Sequence, residues 1–171
     1  MFTDPVKNLK TIPIRENDIV ADLGAGTGYY SIEAGHLARL GKVYAVEVQK
    51  EYLATIQHKV KEAHLQNVEC LWGNVEKLGG TKIGDAIVDV VIASNIFFQV
   101  DDRLGFISEI KRILKPGGKV LLIDWADSAH FRSLKPVPKA QTQEMFEKKG
   151  FTLDRDVDAG AHHYGMILSK L

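Results

Sequence analysis

Two carboxylates and three glycines have the spacing that could do chemistry in this chain: Asp22, Gly24, Gly26 and Gly28 in the run Ile19-Val20-Ala21-Asp22-Leu23-Gly24-Ala25-Gly26-Thr27-Gly28, and Glu47 downstream. An apolar strand runs into a glycine-rich turn that opens a helix. This is the form of a loop that cradles a nucleotide cofactor, because a backbone without β-carbons turns sharply and comes close to a ligand. Asp22 discriminates between ligands. Two places before the first glycine, its carboxylate would repel the pyrophosphate of a dinucleotide, whereas it suits the ammonium and sulfonium charges of S-adenosylmethionine. The spacing also departs from the dinucleotide fingerprint G-x-G-x-x-G, since Gly28 falls one place early and Tyr29 stands where the third glycine belongs.

The second half of a nucleotide site follows at the right distance. Tyr29 to Leu40 reads as a helix ended by Gly41, and Lys42-Val43-Tyr44-Ala45-Val46-Glu47-Val48 as a strand with an acid near its carboxyl end. Glu47 lies about 20 residues past the loop, the separation at which an acid in a βαβ unit accepts from the ribose hydroxyls.

These residues need a scaffold, and the rest of the chain supplies its pattern. Apolar β-rich runs starting at Ile19, Lys42, Val68, Val88 and Gly118 alternate with amphipathic stretches that begin near Gly28, Lys50, Asp101 and Val137. That alternation predicts an α/β fold, a doubly wound, mainly parallel sheet with helices on both faces. Lys115-Pro116-Gly117-Gly118 ends the helix from Asp101 with a cation, a proline and turn glycines. Phe151 to Asp158 and His163 to Lys170 are separated only by Ala159-Gly160-Ala161 and its neighbours, too little for a crossover helix, so they pair as an antiparallel hairpin. Residues 1–17 form a short N-terminal segment and residues 18–171 a single domain.

With 171 residues, 45% of them hydrophobic and 26% charged, the chain has enough apolar surface for one core. Lysine plus arginine balance aspartate plus glutamate at 22 each, so no global field recruits nucleic acid or an anionic membrane. The single cysteine, Cys70, excludes an intramolecular disulfide and a thiolate zinc site, and reads as a small core residue. The amino terminus lacks an apolar signal core and no apolar run is long enough to cross a bilayer, which makes a cytoplasmic location the expectation.

Five motifs stand in a recognisable order: Val20 to Gly28, Val43-Tyr44-Ala45-Val46-Glu47, Gly73-Asn74-Val75, Val88-Asp89-Val90-Val91-Ile92-Ala93-Ser94-Asn95, and Arg112-Ile113-Leu114-Lys115-Pro116-Gly117-Gly118. From Asp18 to its end the chain resembles a small class I S-adenosylmethionine-dependent methyltransferase. Its last two motifs are similar to the type 11-like branch that includes ubiquinone and menaquinone biosynthesis methyltransferases. The resemblance implies a Rossmann-like, seven-stranded sheet, with S-adenosyl-L-methionine as cofactor and an unidentified methyl acceptor, a small molecule or a macromolecular side chain. Carried over by position, it implies that Asp22 and the backbone at Gly24 and Gly26 hold the methionyl part, that Glu47 takes the ribose, and that Asn74 and Val75 frame the adenine. The wider set of cofactor contacts takes in Ala25, Thr27, Gly28 and Tyr29 from the loop, Val48 beside Glu47, and Ser94 and Asn95 after the fourth strand. The family usually has aspartate where Asn74 stands, so a weaker acceptor and modest cofactor affinity follow, unless Asn74 is only a turn residue.

On the acceptor side, Ser94-Asn95-Ile96-Phe97-Phe98-Gln99 falls at the crevice outside a strand's carboxyl end. Enzymes that methylate exocyclic base amines resemble one another in an Asn/Asp-Pro-Pro-aromatic motif here; this segment has no proline, which speaks against nucleic acid as acceptor. Phe97 and Phe98, with Trp125, could wall an apolar pocket, and two adjacent phenylalanines could equally be core packing. Methyl transfer needs little beyond placement of the nucleophile. If a base is used, Asp124 and His130 are the candidates. His162 and His163 fall on opposite faces of their strand, so no metal site is expected there, and His36, His58 and His64 read as surface residues. Asp127 to Lys139 carries His130, Phe131, Arg132, Lys135 and Lys139, a local basic and aromatic cluster that suits an acidic substrate or an RNA phosphate, or is only a solvated loop. The short segment before the first strand leaves the site without a lid, which points to a large substrate, a homo-oligomer or a partner subunit that closes it. A catalytically silent cofactor-binding subunit and, further off, an NAD-dependent oxidoreductase are the alternatives to an active methyltransferase.

Overall fold

The computed structural model of the protein describes residues 3–126 and 135–171. The chain order is α1 (Pro5–Leu9), β1 (Ile19–Leu23), α2 (Tyr29–Leu37), β2 (Lys42–Glu47), α3 (Lys50–Glu62), β3 (Val68–Trp72), β4 (Val88–Ser94), a 3-10 turn (Phe97–Gln99), α4 (Arg103–Ile113), β5 (Leu114–Trp125), α5 (Lys139–Lys148), β6 (Phe151–Val157) and β7 (His163–Lys170). The strands form one seven-stranded sheet in the order β3-β2-β1-β4-β5-β7-β6. β1 to β5 run parallel, and β7 pairs antiparallel with both β5 and β6. The alternating pattern and the terminal hairpin therefore resolve into the α/β sheet expected from the sequence.

Connection lengths explain the order. Helices α2, α3 and α4 carry the chain from β1 to β2, β2 to β3 and β4 to β5, residues 73–87 cross from β3 to β4 without a helix, and the short link between β6 and β7 forces an antiparallel return beside β6. The strand order reverses between β1 and β4, the switch point where open α/β sheets leave a crevice at the carboxyl ends of their strands. β1 and β4 are apolar on both faces because helices cover both. One face packs Ala21, Leu23, Val91 and Ala93 against α4 and α5, around Phe97, Phe106, Phe146 and Phe151. The other packs Val20, Val90, Ile92 and Leu121 against α1 and α2.

Three boundaries differ from the sequence reading, each for a tertiary reason. α2 stops at Leu37 and not Leu40, because the Asn67 side-chain amide donates to the carbonyls of Gly35 (2.9 Å) and Ala38 (2.8 Å) and closes the helix early. β5 begins at Leu114 and not Gly118, since α4 passes straight into the sheet and Lys115 to Gly118 bulge between the Val88–Leu114 and Val90–Lys119 pairs. α1, for which the local sequence has only a weak pattern, is started by Asp4, whose carboxylate accepts from the Lys7 amide at 3.2 Å, and by Pro5 in the first turn. Cys70 is half-buried on the edge strand β3, not a core residue, and burial pushes its thiol up. No described helix is long and apolar enough to cross a membrane.

Candidate functional site

The glycine loop joins β1 to α2 at the switch point. Gly24, Gly26 and Gly28 all hold left-handed backbones, with φ of 70°, 54° and 82°, a region that residues with a β-carbon enter only at a cost. Their surroundings differ. A β-carbon on Gly24 would collide with the Ile96 side chain and one on Gly28 would come within 2.9 Å of Ile56, so these two pack the loop down. A β-carbon on Gly26 would meet only the Gly24 carbonyl oxygen, at 4.0 Å, so here the backbone borders open space. The amides of Gly24 and Ala25 both donate to the Val46 carbonyl, at 2.9 and 3.0 Å, and tie the loop to the end of β2.

Glu47 completes that tie. Its Oε2 accepts from the Gly26 amide (2.9 Å), and its Oε1 accepts from the amides of Val48 (2.8 Å) and Gln49 (2.9 Å). A carboxylate has about four lone-pair positions, so one remains, on Oε2. The sequence expectation that this acid meets two ribose hydroxyls thus has room for one new bond, and a second must displace a backbone amide.

Asp22 lies beneath the loop, 2% exposed, between Ala45 of β2 and Ile92 of β4. The Ser31 hydroxyl donates to its Oδ2 at 2.6 Å from the first turns of α2. Burial pushes its carboxyl up to about 7; the Ser31 hydrogen bonds pull it down and the Glu47 charge adds to the rise. The residue chosen from sequence for a fixed negative charge is therefore poised near half-ionisation at neutral pH.

The remaining cofactor candidates differ in exposure and in their partners. Tyr29 is exposed, with the Lys59 ammonium 3.7 Å from its ring centroid; that ammonium also donates to the Thr27 carbonyl at 2.8 Å. Val48 is exposed beside Glu47, and Val75 is buried. Asn74 follows β3 and its Oδ1 accepts from the Glu76 amide at 2.9 Å, the turn role weighed against an adenine contact. Asn95 sits at φ 55°, its amide donating to the Ile123 carbonyl at 2.8 Å. The Ser94 hydroxyl and the Asn95 Oδ1 are buried without a hydrogen-bond partner among the described residues. Such groups are costly to leave unpaired, and here they end β4 beside the open glycine loop. A loop backbone that leaves room at Gly26 and orphaned polar atoms at the end of β4 fit a polar, nucleoside-bearing ligand.

The acceptor candidates are placed less as expected. Phe97 is fully buried, its ring 5.9 Å from Phe106 and 6.0 Å from Phe146, so it belongs to the core and not to a pocket wall. Phe98 is half-buried, and Trp125 is 7% exposed with its ring 4.1 Å from that of His163. Asp124 is 1% exposed; its Oδ2 accepts from the Phe98 amide (3.1 Å) and its Oδ1 from the Trp125 amide (2.7 Å). It clamps the 3-10 turn to the end of β5. Burial pushes its carboxyl up to about 6, opposed by the Trp125, Phe98 and Phe97 amides and by the Arg103 charge. His130, Phe131 and Arg132 lie outside the described residues; Lys135 is exposed and Lys139 pairs with Asp156 at 2.5 Å. A surface cleft of about 710 Å³ lined by His36, Arg39, Lys42 and His64 lies at the amino end of β2, away from every residue above.

A family model described as a methyltransferase domain, of type 11, matches residues 21–122. The chain belongs to the type 11 methyltransferase family. It is an S-adenosylmethionine-dependent methyltransferase, with S-adenosylmethionine as its cofactor. A demethylmenaquinone methyltransferase of Listeria monocytogenes is 27% identical over 197 aligned residues, 93% of this chain and 82% of that protein. Among solved structures, an S-adenosylmethionine-dependent methyltransferase from Aquifex aeolicus superposes with a TM-score of 0.86 at 28% identity, covering 99% of this methyltransferase and 91% of that chain. The [4+2]-cyclase SpnF shares the fold at a TM-score of 0.83 and 15% identity, over 97% of this chain and 79% of its own.

Sequence reasoning missed Ser31 and the packing role of Ile96. Ser31 holds Asp22 and Ile96 fills the space under Gly24. Neither has a motif signal, because each acts through a contact that only the packed sheet creates.

Proposed function

We propose that this methyltransferase holds its cofactor across the β1–β4 switch point with Asp22, the Gly24 to Gly28 backbone, Glu47, Val48, Asn74, Val75, Ser94 and Asn95. The observation that carries the reading is the loop itself, where a left-handed Gly26 borders open space while its amide is drawn to Glu47. When bound, the cofactor supplies a methyl group on a sulfonium whose leaving group is neutral. The chain's own tasks are then to bind, to orient the acceptor in line and to exclude water. Asp124 sets the turn that follows β4, and with both oxygens on backbone amides it acts by position.

The acceptor docks, in this reading, at the carboxyl ends of β4 and β5, where Phe98 and the end of β5 border the crevice. A small molecule is favoured, and demethylmenaquinone, the substrate in the Listeria relative's name, heads the panel to test. Calorimetry with S-adenosylmethionine, S-adenosylhomocysteine and NAD, followed by a methyl-release assay over the panel, tests the proposal. Binding of the first two with turnover on an acceptor supports it. Preference for NAD would remove it, and cofactor binding with no turnover on any acceptor would favour a silent subunit.

A further inference from the structure

Arg103 opens α4, with three residues between it and the 3-10 turn, and its guanidinium carbon lies 5.9 Å from the centroid of the Phe97 ring. The side chain is partly exposed, while its Nε is itself buried and has no hydrogen-bond partner among the described residues. Among the described residues Arg103 makes no ion pair. Asp124 and Tyr164 are near enough to feel its charge, but neither hydrogen-bonds it: the Asp124 oxygens accept from the backbone amides of Phe98 and Trp125, and the Tyr164 hydroxyl pairs with Thr142 Oγ1 at 2.9 Å. Asp124 and Tyr164 face each other across the β5–β7 pair, so this cluster sits at the carboxyl end of β5, at the crevice.

A guanidinium has five donors and no acceptor, and leaving one of them buried and unpaired is unfavourable. The described carboxylate and hydroxyl nearest it, those of Asp124 and Tyr164, hydrogen-bond to other groups. The geometry therefore points to an anion from outside the described residues.

We propose that Arg103 is the counter-charge for the methyl acceptor, which carries an oxyanion, either a carboxylate or an ionised ring hydroxyl. This rests on the acceptor docking at the carboxyl ends of β4 and β5 as proposed above. A planar oxyanion matches the guanidinium fork in two parallel hydrogen bonds, and the Phe97 ring beneath keeps the fork in place.

The test titrates benzoate and 4-nitrophenolate, with benzamide and nitrobenzene as neutral counterparts, into the protein loaded with S-adenosylhomocysteine. The arginine Nε–H resonance lost in Arg103→Gln is followed by NMR. At least one anion is expected to shift that resonance and to bind about ten- to a hundred-fold tighter than its neutral counterpart. Which anion does so separates the carboxylate from the ring hydroxyl. Arg103→Gln should abolish the preference without altering S-adenosylhomocysteine affinity, and Arg103→Lys should restore part of it. An equal response to charged and neutral probes, or a preference that survives in Arg103→Gln, overturns the proposal. If S-adenosylhomocysteine itself does not bind, the cofactor reading is what fails. The same titrations on the unloaded protein then judge Arg103 alone.

Discussion

Asp22→Asn should remove a pH dependence from cofactor binding. In the free protein burial pushes the Asp22 carboxyl up to about 7, so below neutrality it is largely protonated. A cationic ligand beside it favours the ionised form and lowers its pKa by about 1–3 units, so binding releases a proton and weakens as pH falls. With a shift of about 2 units, affinity at pH 6 is about tenfold below that at pH 8, and about 0.8 proton is released per ligand at pH 6. Asp22→Asn keeps an oxygen to accept from Ser31 and carries no titratable proton, so its profile should lack this component. Calorimetry in buffers of differing ionisation enthalpy measures both quantities, and the wild-type to variant ratio at each pH cancels the ligand's own ionisation. Parallel profiles for the two proteins would show that Asp22 does not sense the ligand's charge. The same group affects the free protein's stability. A raised folded-state pKa means that the stability of the protonated form, fully present below about pH 4, is lost as pH rises to about 7. Asp22→Asn should therefore raise the Tm of the free protein more at pH 8 than at pH 5.

Other substitutions test the remaining parts. Glu47→Gln places an amide donor against backbone N–H groups at Gly26 or at Val48 and Gln49, and should weaken cofactor binding by about 1–3 kcal/mol in calorimetry; unchanged affinity would remove Glu47 from the site. Gly26→Ala meets no packing obstacle and should cost about 1–2 kcal/mol of stability from its left-handed backbone, while cofactor affinity falls more than about tenfold; a folded variant with wild-type affinity would show that the ligand does not approach this backbone. Glu109 is fully buried, accepting from Arg112, Thr81 and the Gly79 amide, so Glu109→Gln should lower stability by about 3 kcal/mol in urea melts with cofactor affinity unchanged in the folded fraction.

The parallel sheet, its terminal hairpin and the glycine loop were legible in the chain because they depend on local physics. A run of apolar residues before Gly24-x-Gly26-x-Gly28 can form only a strand and a tight turn, and the short link before His163 leaves only an antiparallel return. The placing of Glu47 beside the loop follows from the length of one βαβ unit. The acceptor side was not legible. Phe97 and Phe98 are adjacent and alike, yet the 3-10 turn sends Phe97 into the aromatic core and leaves Phe98 half-exposed. Asp124 looks like a free acid at a strand end until the amides of the turn close on it. Local sequence thus determined the strand, turn and hairpin geometry and the types of residue at the crevice. Only the packed structure decided which charges are satisfied and which stay open, because desolvation and pairing depend on neighbours brought together from β4, α4, β5 and β7.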